Sequence, residues 1–381
     1  MNYRNATRRS LLKLSALSIG GFGPRRLLGD DHVSVGTIHD EIQRRAGVAP
    51  LSMQFRGSTP EDCRRWQRQF RGKLRELLGP HAPPGTWTTH VERTVTLDDH
   101  ERRELVLTAA GHPALPVHLL LPKGDPDARR PGVLAIHGHG TYGYDAVVDK
   151  GETPEAAAEF DRFNYRYGVE LVRRGYVVAA PCLTPFGRRL GDREHYGRRD
   201  PCGVTNVRLN LLGKLLIAEN LRDCLWALAL LGKHETVDPE RLGCVGLSYG
   251  GRMTMLTAAV EPRIRAAVIS GALNVWQERV TIHYSCGAQV IPGLLLYGDI
   301  PEIGSLIAPR PCVWEVGSED DLIDPAWADK ALVRLRRAYH AYDADAALQI
   351  DRFKGGHRWH GDHAYDVLAK ALNPRSPAGR R

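Results

Sequence analysis

From residue 132 onward, short uninterrupted apolar runs alternate with longer amphipathic stretches. The runs are "GVLAIHG", "YVVAAP", "LGCVGLS", "AAVISG", "PCVWEVG" and "ALQIDRF". Strands covered on both faces lose the in–out alternation of half-exposed strands, and the helices between them supply parallel crossovers. "FNYRYGVELVRRG", "LGKLLIAENLRDCLWALALLGK" and "PAWADKALVRLRRAYHAY" have the length and periodicity for those helices. This half therefore predicts an α/β domain with a mostly parallel central sheet and helices on both faces. Upstream, "VERTVTL", "ELVLTAA" and "LPVHLLLP" alternate and carry β-branched residues, which predicts antiparallel lead-in strands.

Residues 36–90 read as a helical extension. Within it, "STPEDCRRWQRQFRGKLRELLG" offers a cap at Ser58 or Thr59, Pro60 in the first turn, early Glu61 and Asp62, and a stop at Gly79-Pro80. The catalytic unit is expected over residues 91–375. Residues 1–35 form a basic leader in which Arg8-Arg9 precede Leu11 and Leu12, resembling a bacterial twin-arginine export signal and pointing to export; a disordered leader on a cytoplasmic protein is the alternative. Six basic against two acidic residues there account for four of the chain's eight net positive charges. The remainder is mildly basic and has no lysine-rich run interleaved with aromatics, which argues against a nucleic-acid partner. No later stretch approaches the ~20 apolar residues of a membrane helix. The seven cysteines are scattered without a C-x-x-C pair, so they read as small buried residues.

The chemistry enters at Gly246-Leu247-Ser248-Tyr249-Gly250, a G-x-S-x-G between a strand and a helix. A sharp strand-to-helix turn presents the middle hydroxyl above the sheet, and Gly246, Gly250 and Gly251 let strand and helix approach. A serine hydroxyl is a weak nucleophile, so it needs a base, and the base needs an orienting carboxylate. "CVWEVGSEDDLIDP" offers Asp320 in the loop after a late strand, with Asp324 in reserve. "ALQIDRFKGGH" delivers His357 to a loop at the sheet's C-terminal edge. An oxyanion requires two main-chain donors. Tyr249 follows the nucleophile, and "GVLAIHGHGTYG" supplies His139, with Gly140 as the alternative.

These segments resemble the α/β-hydrolases of the dienelactone hydrolase and acetyl xylan esterase-like group over residues 91–372. The resemblance is carried by "HGHG" (137–140), "TPFGRR" (184–189), "VDPERLGCVGLSYGG", "IPGLLLYGDIPEIGSLIAPRP" (291–311), "GSEDDLIDP" and "GGHRWHG". It implies the α/β-hydrolase fold and a serine hydrolase with nucleophile Ser248, acid Asp320 and base His357. The order Ser, Asp, His fits that fold. The expected activity is cleavage of a small-molecule or carbohydrate ester through an acyl-enzyme, without metal or organic cofactor. A prolyl-oligopeptidase-like peptidase and a non-catalytic binding protein on the same fold are the alternatives. His137 and His139 form an H-x-H pair and His357, His360 and His363 cluster near the end, yet no H-E-x-x-H string accompanies them. His360 reads as a pocket residue and His363 as a surface one. The loop "FGRRLGDREHYGRRDPCG" is rich in arginine, and Arg188 and Arg189 are its candidates for holding an anionic substrate.

Overall fold

In the computed structural model, residues 36–125, 128–282 and 285–373 are described. The arginine-pair leader lies outside them. Nine strands form one sheet: β1 (Thr88–Thr96), β2 (His100–Ala109), β3 (His112–Pro122), β4 (Arg130–Ile136), β5 (Val177–Pro181), β6 (Val237–Leu247), β7 (Ile264–Ser270), β8 (Cys312–Gly317) and β9 (Leu348–Phe353). Their order is β1-β2-β3-β5-β4-β6-β7-β8-β9. The pairs β1–β2, β2–β3 and β3–β5 are antiparallel, and every pair from β5–β4 to β8–β9 is parallel.

The continuous apolar runs exist because successive residues enter two different cores. In β4, Leu134 and Ile136 join Phe70, Leu221, Trp226 and Met253 on one face. Val133 and Ala135 point the other way, to Phe160, Leu171, Val367 and Leu368. Strand β1, by contrast, is almost wholly exposed along its length, as suits an edge.

The helix Pro60–Leu78 is capped by Thr59, whose side chain accepts from the Asp62 N–H, with Pro60 in the first turn. Its residues Trp66, Phe70 and Leu74 enter the same core as the sheet. Gln67 donates to the carbonyls of Ser305 and Ala308. This helix is thus part of the layer covering the sheet. Among the described residues no helix is long and apolar enough to cross a membrane.

Candidate active site

The turn between β6 and the helix Tyr249–Val260 places Ser248 at φ 62°, ψ −118°, a conformation that a residue with a Cβ rarely adopts. The turn is held from both sides: Ser248 N–H donates to Ser270 O at 2.9 Å, and Arg252 N–H donates to Ser248 O at 2.9 Å. A Cβ on Gly246 would lie 2.5 Å from Gly250 C and O, and one on Gly250 would lie 2.0 Å from Ile136 O. The glycines flanking the serine are therefore required by the contact between β6, its helix and the end of β4.

His357 reaches the same region from the loop after β9. Its Nδ1 lies 2.7 Å from Asp320 Oδ2, and Asp320 is nearly buried. Because a carboxylate can only accept, Nδ1 carries the proton and Nε2 is left with a lone pair. Nε2 is buried and has no hydrogen-bond partner among the described residues. Ser248 and His357 line one pocket of about 970 Å3, together with His139, Asn274 and Cys286. Gly138 carries the β4 loop against the elbow, its Cβ position being 2.8 Å from Leu247 O and 3.1 Å from Ser248 Cβ. The main chain of His139 thus adjoins the turn that bears Tyr249.

Known proteins share this architecture. The chain is 30% identical to the Bacillus subtilis (strain 168) protein named "Putative hydrolase YtaP" over 272 residues, 69% of this chain and 86% of that one. Residues 214–282, which span the elbow, match the prolyl oligopeptidase family. A "putative acetyl xylan esterase" of Bacteroides fragilis NCTC 9343 superposes with a TM-score of 0.69 at 17% identity, covering 84% of this chain and 83% of its own. A glucuronoyl esterase from Solibacter usitatus gives 0.59 at 15%, covering 82% and 94%. The chain belongs to the α/β-hydrolase family.

For this α/β-hydrolase, the other residues singled out in the sequence fall in several places. Asp324 caps the helix Pro325–His340, accepting from Ala326 N–H, which leaves Asp320 as the carboxylate at His357. His363 is exposed at the start of the helix Ala364–Leu372. His360 lines the pocket, but its Nδ1 is on Asp351 at 2.8 Å, its N–H donates to Glu315 at 3.0 Å, and its ring stacks on Phe353. It tethers the His357 loop.

Arg188 and Arg189 do not face the pocket, contrary to expectation. Arg188 grips Glu92 with two nitrogens at 2.5 and 3.1 Å, and Arg189 is paired with buried Asp223 and donates to Cys182 O. Carboxylates remote in sequence have claimed both guanidinium groups. His137 is likewise structural: its buried ring donates from Nδ1 to Gly138 O (2.8 Å) and accepts at Nε2 from Leu183 N–H (3.0 Å). Burial pushes it down to about 4. Its two nitrogens lock the loops after β4 and β5 together, so the H-x-H pair does not converge on one point.

Sequence reasoning missed three features. Gly271, at φ 58°, leaves room for the imidazole; a Cβ there would meet His357 Cε1 at 2.7 Å. Asn220 reaches from the helix Leu216–Lys233 to hold the Tyr249 hydroxyl at 2.7 Å and the main chain of Thr184. Among the described residues, the donor atoms of His139, Cys202 and Cys286 lie within 4.8 Å of one another and could hold a soft cation. Cys286 Sγ is 2.8 Å from His139 Nε2. A hydrogen bond from the Cys202 thiol, then the His139 contact, hold Cys286 below the ordinary thiol range. The three residues come from segments about sixty and eighty positions apart, a spacing without a recognisable motif.

Proposed function

We propose that this α/β-hydrolase is a serine esterase that cleaves carboxylic esters through an acyl-enzyme. The reading rests on one observation: the strained Ser248 and the free Nε2 of the Asp320-bound His357 share a single pocket. His357 Nε2 takes the Ser248 proton as Oγ attacks the ester carbonyl, and Asp320 stabilises the imidazolium. The main-chain N–H groups of Tyr249 and His139, with Gly140 in reserve, receive the oxyanion; each such donor contributes roughly 2.7–4 kcal/mol at the transition state. His357 returns the proton to the departing alcohol, and water repeats the sequence to release the acid. No step calls on a metal or organic cofactor.

Solved relatives named for acetyl xylan and glucuronoyl esters favour a carbohydrate ester among the candidates. The prolyl oligopeptidase match over 214–282 favours amide cleavage as a second reading of the same machinery. The Arg8-Arg9 leader supports export. A panel of nitrophenyl esters, acetylated sugars and aminoacyl amides, run beside a fluorophosphonate label, tests the reading. Wild type should turn over esters and take the label, and Ser248→Ala should do neither. Undiminished ester turnover in Ser248→Ala refutes the mechanism, and a preference for the amides moves the assignment to a peptidase. A wild type that takes no label and turns over nothing would mark a binding protein.

A further inference from the structure

Cys63, Cys182 and Cys244 give their thiols to acceptors of the fold, the carbonyls of Ala338 and Phe186 and the Thr254 hydroxyl. Cys202 and Cys286 turn to each other, the Cys202 thiol being hydrogen-bonded to Cys286. Both are buried, and the imidazole of His139 completes the group. Cys286 Sγ is 2.8 Å from His139 Nε2, and the two sulfurs and a ring nitrogen of His139 all fall within 4.8 Å of one another.

Three separate segments bring these donors together. Asp200 caps the helix Pro201–Leu211, accepting from the N–H groups of Cys202 and Gly203, and so sets Cys202 in the first turn. Gly287 lets the Cys286 segment press on that helix: a Cβ there would lie 2.5 Å from Asn206 Cβ. The His139 ring stands edge-on to Phe186 at 5.2 Å and tilted against Tyr249 at 4.9 Å. Among the described residues the group consists of two sulfurs and one imidazole, without a carboxylate. Such donors suit zinc-class cations and discriminate against magnesium and calcium, which take oxygen ligands. Bonds of about 2.3 Å to sulfur and 2.0 Å to nitrogen around a tetrahedral zinc ion put the sulfurs about 3.8 Å apart and the nitrogen about 3.6 Å from each. The observed spread admits those separations once the His139–Cys286 contact opens by about 0.8 Å.

We propose that His139, Cys202 and Cys286 form a binding site for a zinc-class divalent cation, and that filling this site inhibits the enzyme. On binding, each thiol releases its proton to solvent and its sulfur donates an electron pair to the ion, while neutral His139 donates the pair of a ring nitrogen. Two thiolates then balance the charge of the dication, and nothing is oxidised or reduced. Three protein donors leave the fourth tetrahedral position to water or to a group of the substrate. His139 and Cys286 line the pocket that holds Ser248 and His357, so the ion stands in the wall that a substrate must meet. The main chain of His139 is also the proposed oxyanion donor, and a displacement approaching 1 Å at such a group costs about 100-fold. The inhibitory role rests on the esterase reading; the binding site does not.

The test uses the whole chain, reduced and stripped with a chelator, and two probes, Co2+ and Zn2+. A single Co2+ per chain should bind and give a thiolate-to-cobalt charge-transfer band together with the visible bands of a tetrahedral ion. Zn2+ should displace it, shield Cys202 and Cys286 from iodoacetamide as read by peptide mass, and lower nitrophenyl ester turnover by about tenfold or more. Mg2+ should do none of this. Cys202 is not on the pocket lining, so Cys202→Ser separates this site from zinc that merely coordinates His357. In that variant the zinc affinity, and the inhibition measured against the variant's own metal-free rate, should weaken by roughly 100-fold, since loss of even a residue that supports a ligand costs about 10–100-fold. Inhibition undiminished in Cys202→Ser, cobalt bound without the thiolate band, or thiols shielded by zinc with turnover unchanged each overturns the proposal. No cobalt binding to the reduced chain overturns it too, and a Cys202–Cys286 disulfide formed with diamide would then mark the pair as a redox one. If Cys202→Ser does not fold, the cobalt spectrum and thiol shielding of wild type decide alone. A wild type that turns over no ester overturns the esterase reading, and the same spectrum and shielding still judge the site.

Discussion

Gly250→Ala introduces a methyl group where main chain already stands. Its Cβ would lie 2.0 Å from Ile136 O, 2.7 Å from Ile136 C and 2.8 Å from His137 O. None of these atoms can swing aside as a side chain would, so the end of β4 and the elbow must part by roughly 1.4 Å to restore an ordinary 3.4 Å contact. Two effects on stability oppose each other. Alanine gains up to about 1 kcal/mol over glycine inside a helix, and overpacking a tight core costs about 1–3 kcal/mol. With a carbonyl oxygen as the obstacle the cost sits at the upper end, leaving a net loss of about 2 kcal/mol. In a domain of this size that is a fall in Tm of about 4 °C.

Activity should suffer more, because the displaced strand end carries His139 while Tyr249 stays on the helix. A 1 Å misplacement of catalytic groups costs about 100-fold, and kcat should fall by that order while the protein stays folded. Initial rates on a nitrophenyl ester and calorimetric melting measure the two effects separately. Gly72→Ala provides the control: Gly72 lies within the helix Pro60–Leu78, and an added Cβ there meets nothing within 4 Å. That variant should gain up to about 1 kcal/mol and keep its activity. Wild-type kcat and Tm in Gly250→Ala would refute the close contact between elbow and β4 on which the proposed oxyanion site depends.

Two further outcomes follow from buried titratable groups. His137 is neutral when folded and pushed down to about 4, against an ordinary value of about 6.5. The unfolded chain therefore binds this proton first as pH falls; the stabilisation is full above pH 6.5 and is lost towards pH 4, by about 3 kcal/mol in all. The urea midpoint should fall more between pH 7.5 and pH 4.5 for wild type than for His137→Asn, and parallel pH dependences would show that the fold does not hold the ring neutral. Cys286 lies on the pocket wall and is held below the ordinary thiol range, while burial raises Cys63, Cys182, Cys224, Cys244 and Cys312. Iodoacetamide applied to the reduced native protein near pH 7 should label Cys286 first and inactivate in step, and Cys286→Ser should resist. Prior labelling at any of those five, read by peptide mass, would contradict the assignment.

What could be read from the sequence was local or periodic. The parallel strands were legible because both faces of each run are apolar, and the elbow because three glycines surround one serine between a strand and a helix. Thr59 and Ser58 were indistinguishable as caps, since either side chain can accept from the first turn; the geometry chose Thr59. Strand β1 begins at Thr88, before the first apolar residue of its run, because an edge strand is extended by main-chain pairing without needing to bury Thr88 to His90. The arginine loop misled for a different reason. Arg188 is answered by Glu92 and Arg189 by Asp223, 96 and 34 residues away, and charge pairing at such range leaves no trace in local composition.

The three closely spaced histidines of "GGHRWHGDHAY" show how geometry separates residues that spacing groups together. The loop leaving β9 is not helical, so positions three apart do not share a face. Glu315, buried at the end of β8, accepts from the main-chain N–H groups of His360 and Gly361 at 3.0 and 2.7 Å, and Asp351 in β9 takes the His360 ring. Charge-assisted bonds of this kind contribute about 1.5–3 kcal/mol each. They fix the loop behind His357 without touching its imidazole. His357 is then positioned from two directions, by Asp320 on its Nδ1 and by this carboxylate anchorage three residues downstream. His363, exposed at the next helix, shares in neither. A metal would need the three rings to converge; here two of them are committed to different aspartates, one in the loop after β8 and one in β9, which is the arrangement a loop requires to hold one histidine still beside a serine.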